Sequence, residues 1–169
     1  MEDDPLFRRT RQHAERRLTF GATQSTGDRL EQIKEFLRLE KEMLHRYHQK
    51  GDSGLRLTRA RAVIMDVLIQ TLFKWAIFVA NESMGGSKPM CLLATGGYGR
   101  GELSPHSDID LMFLYSRSSI GKPLDNLKEI MTREILYPLW DAGLKVGHAS
   151  REIKEALTES QKDIRNKNS

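Results

Sequence analysis

The chain has 169 residues, 38% of them hydrophobic and 30% charged, and its 27 basic and 23 acidic side chains leave a net charge of +4. That length allows one domain of ordinary size, and the thinly spread positive charge argues against a dedicated nucleic-acid binder. The N-terminus lacks the apolar stretch of a signal peptide, and the apolar run at 75–80 is far shorter than the roughly 20 residues of a membrane span. We therefore expect a soluble, cytoplasmic protein that binds neither nucleic acid nor membrane.

The first half of the chain is predicted to be an arm followed by two helices. Residues 1–28 are polar and rich in arginine, which predicts a loosely held arm. A first helix is expected from Asp28, as its N-cap, to about residue 50, and a second from Thr58 to about Glu82. The second helix is apolar on most sides, which indicates that it packs under a sheet. The apolar positions of the first helix recur at intervals of three, four and seven residues: Leu30, Ile33, Leu37, Leu44 and Tyr47.

Short strands and helices are predicted to alternate in the second half. The apolar runs 90–95 and 109–115 indicate buried strands, and Cys91, the single cysteine, excludes an intramolecular disulfide and suits a reducing cytoplasm. A helix from 123 to 140, a strand at 143–147 and a charged helix at 151–162 complete the pattern. The order of elements favours an α+β fold with a small mixed sheet. The expected units are an arm at 1–28, a helical segment at 29–82 and a core at 83–169.

The segment between the two strands contains a pair of glycines that suits a phosphate. Because Gly96 and Gly97 have no Cβ, their backbone can approach a ligand closely. Backbone N–H groups in such a turn are natural donors to phosphate oxygens. By itself the Gly-Gly-Tyr-Gly pattern is more typical of a simple turn.

Two aspartates at the start of the second strand suit a divalent cation. On a strand, residues two apart share a face, so Asp108 and Asp110 are expected on one side and Ile109 and Leu111 in the core. Two adjacent carboxylates repel each other, and a bound cation removes that conflict. Mg²⁺ prefers oxygen ligands, commonly one or two carboxylates together with substrate phosphates. The aspartates and the preceding glycines therefore predict a site for a nucleotide and Mg²⁺ (or Mn²⁺).

The string GGYGRGELSPHSDIDL, residues 96–111, resembles the nucleotidyltransferase motif of the bacterial PII uridylyltransferase/uridylyl-removing enzymes. LYPLWDAGLKVGHASR, residues 136–151, resembles a later block of the same family. The resemblance implies a DNA polymerase β-like nucleotidyltransferase fold and transfer of UMP from UTP to a tyrosine of the PII signal protein. It assigns the triphosphate to Gly96 and Gly97 and the metal to Asp108 and Asp110. Arg100 and Ser107 are implied as further phosphate contacts.

The chain departs from the resembling enzymes in two respects. Such folds usually supply a third carboxylate from a later strand, yet residues 143–148 contain none; Asp141 and Glu152 flank them. The resembling enzymes also continue into hydrolase and ACT domains that have no counterpart here, so we expect an N-terminal part of such an enzyme or a truncated homologue. The alternatives are an adenylyltransferase of the same fold and a degenerate module that binds nucleotide, or a protein partner, without turnover.

Overall fold

The computed structural model describes residues 4–85, 90–116 and 121–167. In that part of the chain, helices form one layer and three strands form a sheet against it. The elements are α1 (Pro5–Arg17), α2 (Thr26–Gln49), α3 (Gly54–Met84), β1 (Met90–Ala94), α4 (Gly96–Gly99), β2 (Ile109–Tyr115), α5 (Lys122–Met131), a π-helical segment (Thr132–Leu136), α6 (Tyr137–Asp141), β3 (Val146–Glu152) and α7 (Ile153–Lys167).

The sheet is small and mixed. Its order is β1-β2-β3, with β1 antiparallel and β3 parallel to the central β2. Along β2 the side chains of Ile109, Leu111 and Phe113 are buried, whereas the alternate residues, from Asp110 onwards, are only partly covered. The helices therefore cover one face of the sheet and leave the face of Asp110 more open. The predicted α+β class, with a small mixed sheet packed by helices and preceded by a helical segment, is confirmed.

The long helix α3 is the centre of the core. It contacts α1, α2 and α5 and buries one residue per turn or more along its length. Ser53 caps its N-terminus by accepting from the N–H of Arg56, and Gly85 ends it at a φ of +65°. The predicted start at Thr58 is wrong, because Ser53 already supplies the cap. By length and composition α3 is the one described helix that could cross a bilayer, and in this fold most of its apolar side chains pack against the protein core, while Leu55 and Phe78 are exposed.

Residues 5–17 form a packed helix where a loosely held arm was expected. Asp4 caps α1 by accepting from the N–H of Leu6 at 2.9 Å. Leu6 and Phe7 are buried and belong to a cluster with Met43 of α2 and Ala60 of α3. The predicted arm is wrong, because the prediction followed the many arginines of this segment and overlooked the short apolar stripe among them. The division of the chain into three units stays a prediction.

Helix α2 begins before its predicted N-cap, and its most buried residues lie to one side of the predicted apolar stripe. Ser25 is the cap, and its hydroxyl oxygen accepts from the N–H of Asp28, which places Asp28 in the first turn. The predicted stripe is confirmed: Ile33 is buried, the other predicted positions are partly buried, and Leu37 and Leu44 pack against the core. The buried residues of α2 are Ile33, Phe36, Glu40 and Met43.

Strand β1 was predicted to be buried, but it is an edge of the described sheet, and Cys91 is exposed. The apolar run of β1 reflects partial cover on one face only: Met90 and Leu92 are half-buried, and Leu93 is 43% exposed. Strand β3 lies later than the predicted 143–147, because a turn at Gly143, with a φ of +79°, precedes it. The predicted helix at 123–140 is present and contains the π-helical segment.

Candidate active site

Strand β2 places Asp110 beside the glycine turn. The backbone carbonyl of Asp110 accepts from the N–H of Thr95 at 2.9 Å, which fixes the end of β1 and the start of α4 next to it. Ile109 and Leu111 point into the core as expected, so the Asp110 side chain leaves the opposite face. Asp110 is half-buried, and Asp108, just before the strand, is exposed.

The glycines of the turn are required by the turn itself. Gly96 has a φ of +59°, a conformation that side-chain-bearing residues rarely adopt. A Cβ at Gly99 would lie 2.7 Å from the carbonyl oxygen of Ala94, and one at Gly97 would lie 3.2 Å from that of Glu102. The pattern therefore forms a tight connection whose backbone leaves little room, whether or not a phosphate approaches it.

The carboxylate of Asp110 lies between two positions that lack side chains. A Cβ at Gly96 would be 2.6 Å from its Oδ2, and a Cβ at Gly147 of β3 would be 2.9 Å from its Oδ1. The register explains the second contact, since Asp110 and Gly147 are paired across β2 and β3. The predicted neighbours Gly96 and Asp110 thus meet in space.

Arg100 and Ser107 lie on the loop around this carboxylate. The Nη1 of Arg100 donates to the carbonyl of Gly96 at 3.0 Å, so its guanidinium lies against the glycine turn. The N–H of Ser107 donates to the carbonyl of Ser104, and its side chain is exposed. Their predicted roles as phosphate contacts stay predictions. Of the two side chains, that of Arg100 contacts the glycine turn directly.

Tyr98 secures the turn to the helical layer. Its side chain is 4% exposed, and its hydroxyl donates to Oδ1 of Asp66 in α3 at 2.8 Å. Burial, together with the neighbouring Asp66 carboxylate, raises the pKa of the Tyr98 phenol, so it remains a donor across the ordinary pH range. Since the ring is packed into the core, it is not available to stack on a nucleotide base.

A third carboxylate does not join Asp108 and Asp110 among the described residues, in which no group of three possible metal ligands is found. Glu152 pairs with Tyr115, at the far end of β2 from Asp110, so it cannot reach. Asp141 is exposed at the end of α6. The strand position directly beside Asp110 is Gly147, whose missing side chain leaves no carboxylate there.

The residues present suit a divalent cation at Asp110. Within the described residues neither Asp108 nor Asp110 has a hydrogen-bond or ion-pair partner for its side chain. The cradle between Gly96 and Gly147 keeps side chains away from both oxygens of Asp110. Unpaired oxygen ligands beside a turn of backbone amides match the preference of Mg²⁺ for carboxylates and phosphates.

Comparison with known proteins identifies the family. Residues 39–146, more than half of the chain, match the DUF294 nucleotidyltransferase family. The chain belongs to this family. The matching segment includes the glycine turn, both aspartates and the start of β3, so family membership covers the whole candidate site except Gly147. No solved structure matches the chain.

Curated relatives are named bifunctional uridylyltransferase/uridylyl-removing enzymes. The chain is 36% identical over 158 residues to the one from Caulobacter vibrioides, which covers 88% of this chain and 16% of that protein. It is 37% identical over 127 residues to the one from Rhodospirillum rubrum, covering 73% of this chain and 13% of that protein. The chain therefore spans about a sixth or less of the length of these relatives. The resemblance found in the motifs is confirmed.

Sequence reasoning missed Gly147. A lone glycine within a strand is a signal for close approach of another group. That signal was present in the run 143–147, but the strand was predicted to end there. Only the parallel register of β3 against β2 shows that the approaching group is the Asp110 carboxylate.

Proposed function

We propose that this chain forms part of the active site of a metal-dependent nucleotidyltransferase that transfers UMP from UTP to a tyrosine of the PII signal protein. The observation that supports this best is the unpaired Asp110 carboxylate lying against Gly96, at the point where β1, β2 and β3 meet. Family membership supports nucleotidyl transfer, and the names of the relatives support the uridylyl group. The proposed location is the cytoplasm.

In this proposal each element of the site has a separate role. Asp108 and Asp110 hold Mg²⁺ or Mn²⁺, and the amides of Gly96 and Gly97, with Arg100 and Ser107, bind the triphosphate. A bound divalent ion supplies neutralisation of phosphate charge and alignment for in-line attack. The acceptor hydroxyl releases its proton to solvent and its oxygen bonds to the α-phosphorus, while the bond from that phosphorus to the oxygen bridging to the β-phosphate breaks and pyrophosphate leaves. No nucleophile from this chain is needed.

The test is thermal unfolding with Mn²⁺ and UTP. A ligand that binds only the folded state raises its stability, by about 2.7 kcal/mol at a hundred times the dissociation constant. We expect a rise in Tm for the wild type and none for Asp110→Asn. Asp125→Asn, an exposed aspartate on α5, is the matched control and should keep the full rise. An Asp110→Asn variant that kept the rise would remove Asp110 from the site.

A second candidate is a module that binds nucleotide without turnover. The observation favouring it is that the described residues offer two carboxylates and no third at the site. Loss of one metal ligand should slow the chemical step more than it weakens binding. Incorporation of labelled UMP into PII distinguishes the two: we expect measurable but slow transfer, and UTP binding with no transfer at all would favour the module.

A further inference from the structure

We infer that Gly147 is a positioning residue for the Asp110 carboxylate, and that the absence of a side chain at this position keeps that carboxylate in the orientation that binds a cation. This inference rests on the proposed function, since it assigns Asp110 to a metal. It extends the site to β3, which neither the glycine turn nor the aspartate pair includes.

The first step of the argument is the geometry around the carboxylate. Its two oxygens face two different elements: Oδ2 is 2.6 Å from where a Cβ of Gly96 would lie, and Oδ1 is 2.9 Å from where a Cβ of Gly147 would lie. Real Cβ atoms do not approach oxygen so closely, because both distances are well inside van der Waals contact. A side chain on either glycine would therefore displace the carboxylate.

The second step separates the two glycines. Gly96 has a φ of +59°, so a glycine is required there by the backbone conformation as well as by the close approach of Asp110. Gly147 is not among the described glycines with positive φ, and it lies in a regular parallel ladder opposite Asp110. An alanine at position 147 fits the strand conformation, and its Cβ would meet a single atom, Oδ1 of Asp110. The steric demand at Gly147 thus comes from the Asp110 carboxylate.

The third step is what a displaced carboxylate would do. Asp110 has no hydrogen-bond or ion-pair partner in the described residues that would hold its side chain in another way. Its orientation is set by the walls of the slot, namely the glycine turn and β3. A methyl group at Gly147 would take the space of Oδ1, and Gly96 bounds the other oxygen, so the carboxylate must rotate out of the slot and lose the orientation proposed for the cation. Groups that orient a metal ligand commonly contribute about 10- to 100-fold to metal affinity.

The experiment measures Mn²⁺ binding, without nucleotide, by electron paramagnetic resonance of the free ion. The variants are wild type, Gly147→Ala, Asp110→Asn and Gly54→Ala. Gly54 is the matched control, because a Cβ there would meet nothing within 4 Å and its φ is ordinary. We expect Gly147→Ala to weaken Mn²⁺ binding by about 10-fold or more, with the Tm of the metal-free protein nearly unchanged, and Gly54→Ala to bind as wild type does.

The outcomes separate this inference from the proposed function. Wild-type affinity in Gly147→Ala, together with lost affinity in Asp110→Asn, would overturn the role of Gly147 and leave the metal site in place. Equal binding by wild type and Asp110→Asn would overturn the metal site itself. A crystal structure of metal-free Gly147→Ala gives a readout that needs no metal: we expect the Asp110 carboxylate to have rotated out of the slot between Gly96 and position 147, and an unmoved carboxylate would refute the inference even if the variant binds poorly.

Discussion

Carboxylates in the helical layer have hydrogen-bond or ion-pair partners, whereas the two aspartates beside the open face of the sheet have none among the described residues. In the helical layer Glu40 is 1% exposed, and its side chain contacts His13 and the hydroxyl of Thr10. Glu134 is 8% exposed; it accepts from the indole N–H of Trp75 and pairs with Arg133, each at 2.8 Å. At the start of β2, Asp108 and Asp110 have no such partner within the described residues.

This difference separates the acidic groups that the described fold pairs with donors from those that it leaves without one. A buried carboxylate without a donor is costly, so the partners of Glu40 and Glu134 are part of what makes those positions tolerable. Asp110 is half-buried, so contact with solvent removes only part of the desolvation cost of its carboxylate. This contrast supports the metal site proposed at Asp110, because among the described residues no donor competes for its carboxylate oxygens.

The largest effect on stability is expected at Glu40. Glu40→Ala leaves the donors of His13 and Thr10 without their acceptor in the interface of α1 and α2, which should lower the free energy of unfolding by about 1–3 kcal/mol. Asp110→Ala removes a carboxylate with no protein partner and should change it by less than about 0.5 kcal/mol. Urea denaturation at neutral pH measures both. Equal losses in the two variants would contradict the contrast between the two regions.

A smaller effect is expected at Glu134, in the π-helical segment. Glu134→Gln preserves volume and still offers an oxygen to Trp75, but it loses the charge that faces Arg133 and Arg29, the latter at 3.5 Å. We expect a loss of about 1 kcal/mol, the typical contribution of one such hydrogen bond. Glu129→Gln, an exposed residue of α5, is the control and should match wild type. If Glu134→Gln also matched wild type, the charge of Glu134 would have no part in joining α2, α3 and the π-helical segment.

The sequence was sufficient for the part of the site that depends on neighbours along the chain. Alternation along β2 places Ile109 inside and Asp110 outside, and the short loop back to Gly96 limits how far apart they can be. Gly147 could not be predicted in the same way, because its contact depends on which strand pairs with β2 and in which register. The family resemblance assigned roles to Gly96 and Asp110, but it did not point to Gly147 or to its contact with the carboxylate.

The fold shows the same division. Helices α2 and α3 were predictable because long apolar periodicity identifies them, although their starts were missed by a few residues since Ser25 and Ser53 compete with later cap candidates. Helix α1 was missed because its few buried residues are stabilised by packing against Met43 and Ala60, which are distant in sequence. Edge exposure of β1 was missed since an apolar run does not report how many faces are covered.

The smallest predicted effect is a dependence on pH at Asp4, which joins α1 to α3. The Nε and Nη2 of Arg56 each donate to Asp4 at 2.8 Å, and these hydrogen bonds lower the pKa of Asp4 from 3.8 to about 2. Because the folded pKa lies below the unfolded one, the stabilisation is complete above about pH 4 and is lost as the pH falls towards 2. Both side chains are partly exposed, so solvent screening limits the contribution to under about 1 kcal/mol. Asp4→Asn retains an N-cap oxygen for Leu6, removes the charge and replaces the other oxygen, an acceptor from Arg56, with an amide group. Urea denaturation should therefore show the variant less stable than wild type at pH 7, with the difference shrinking as the pH falls from 4 towards 2, and a difference that stayed constant over this range would show that the charge of Asp4 is not its cause.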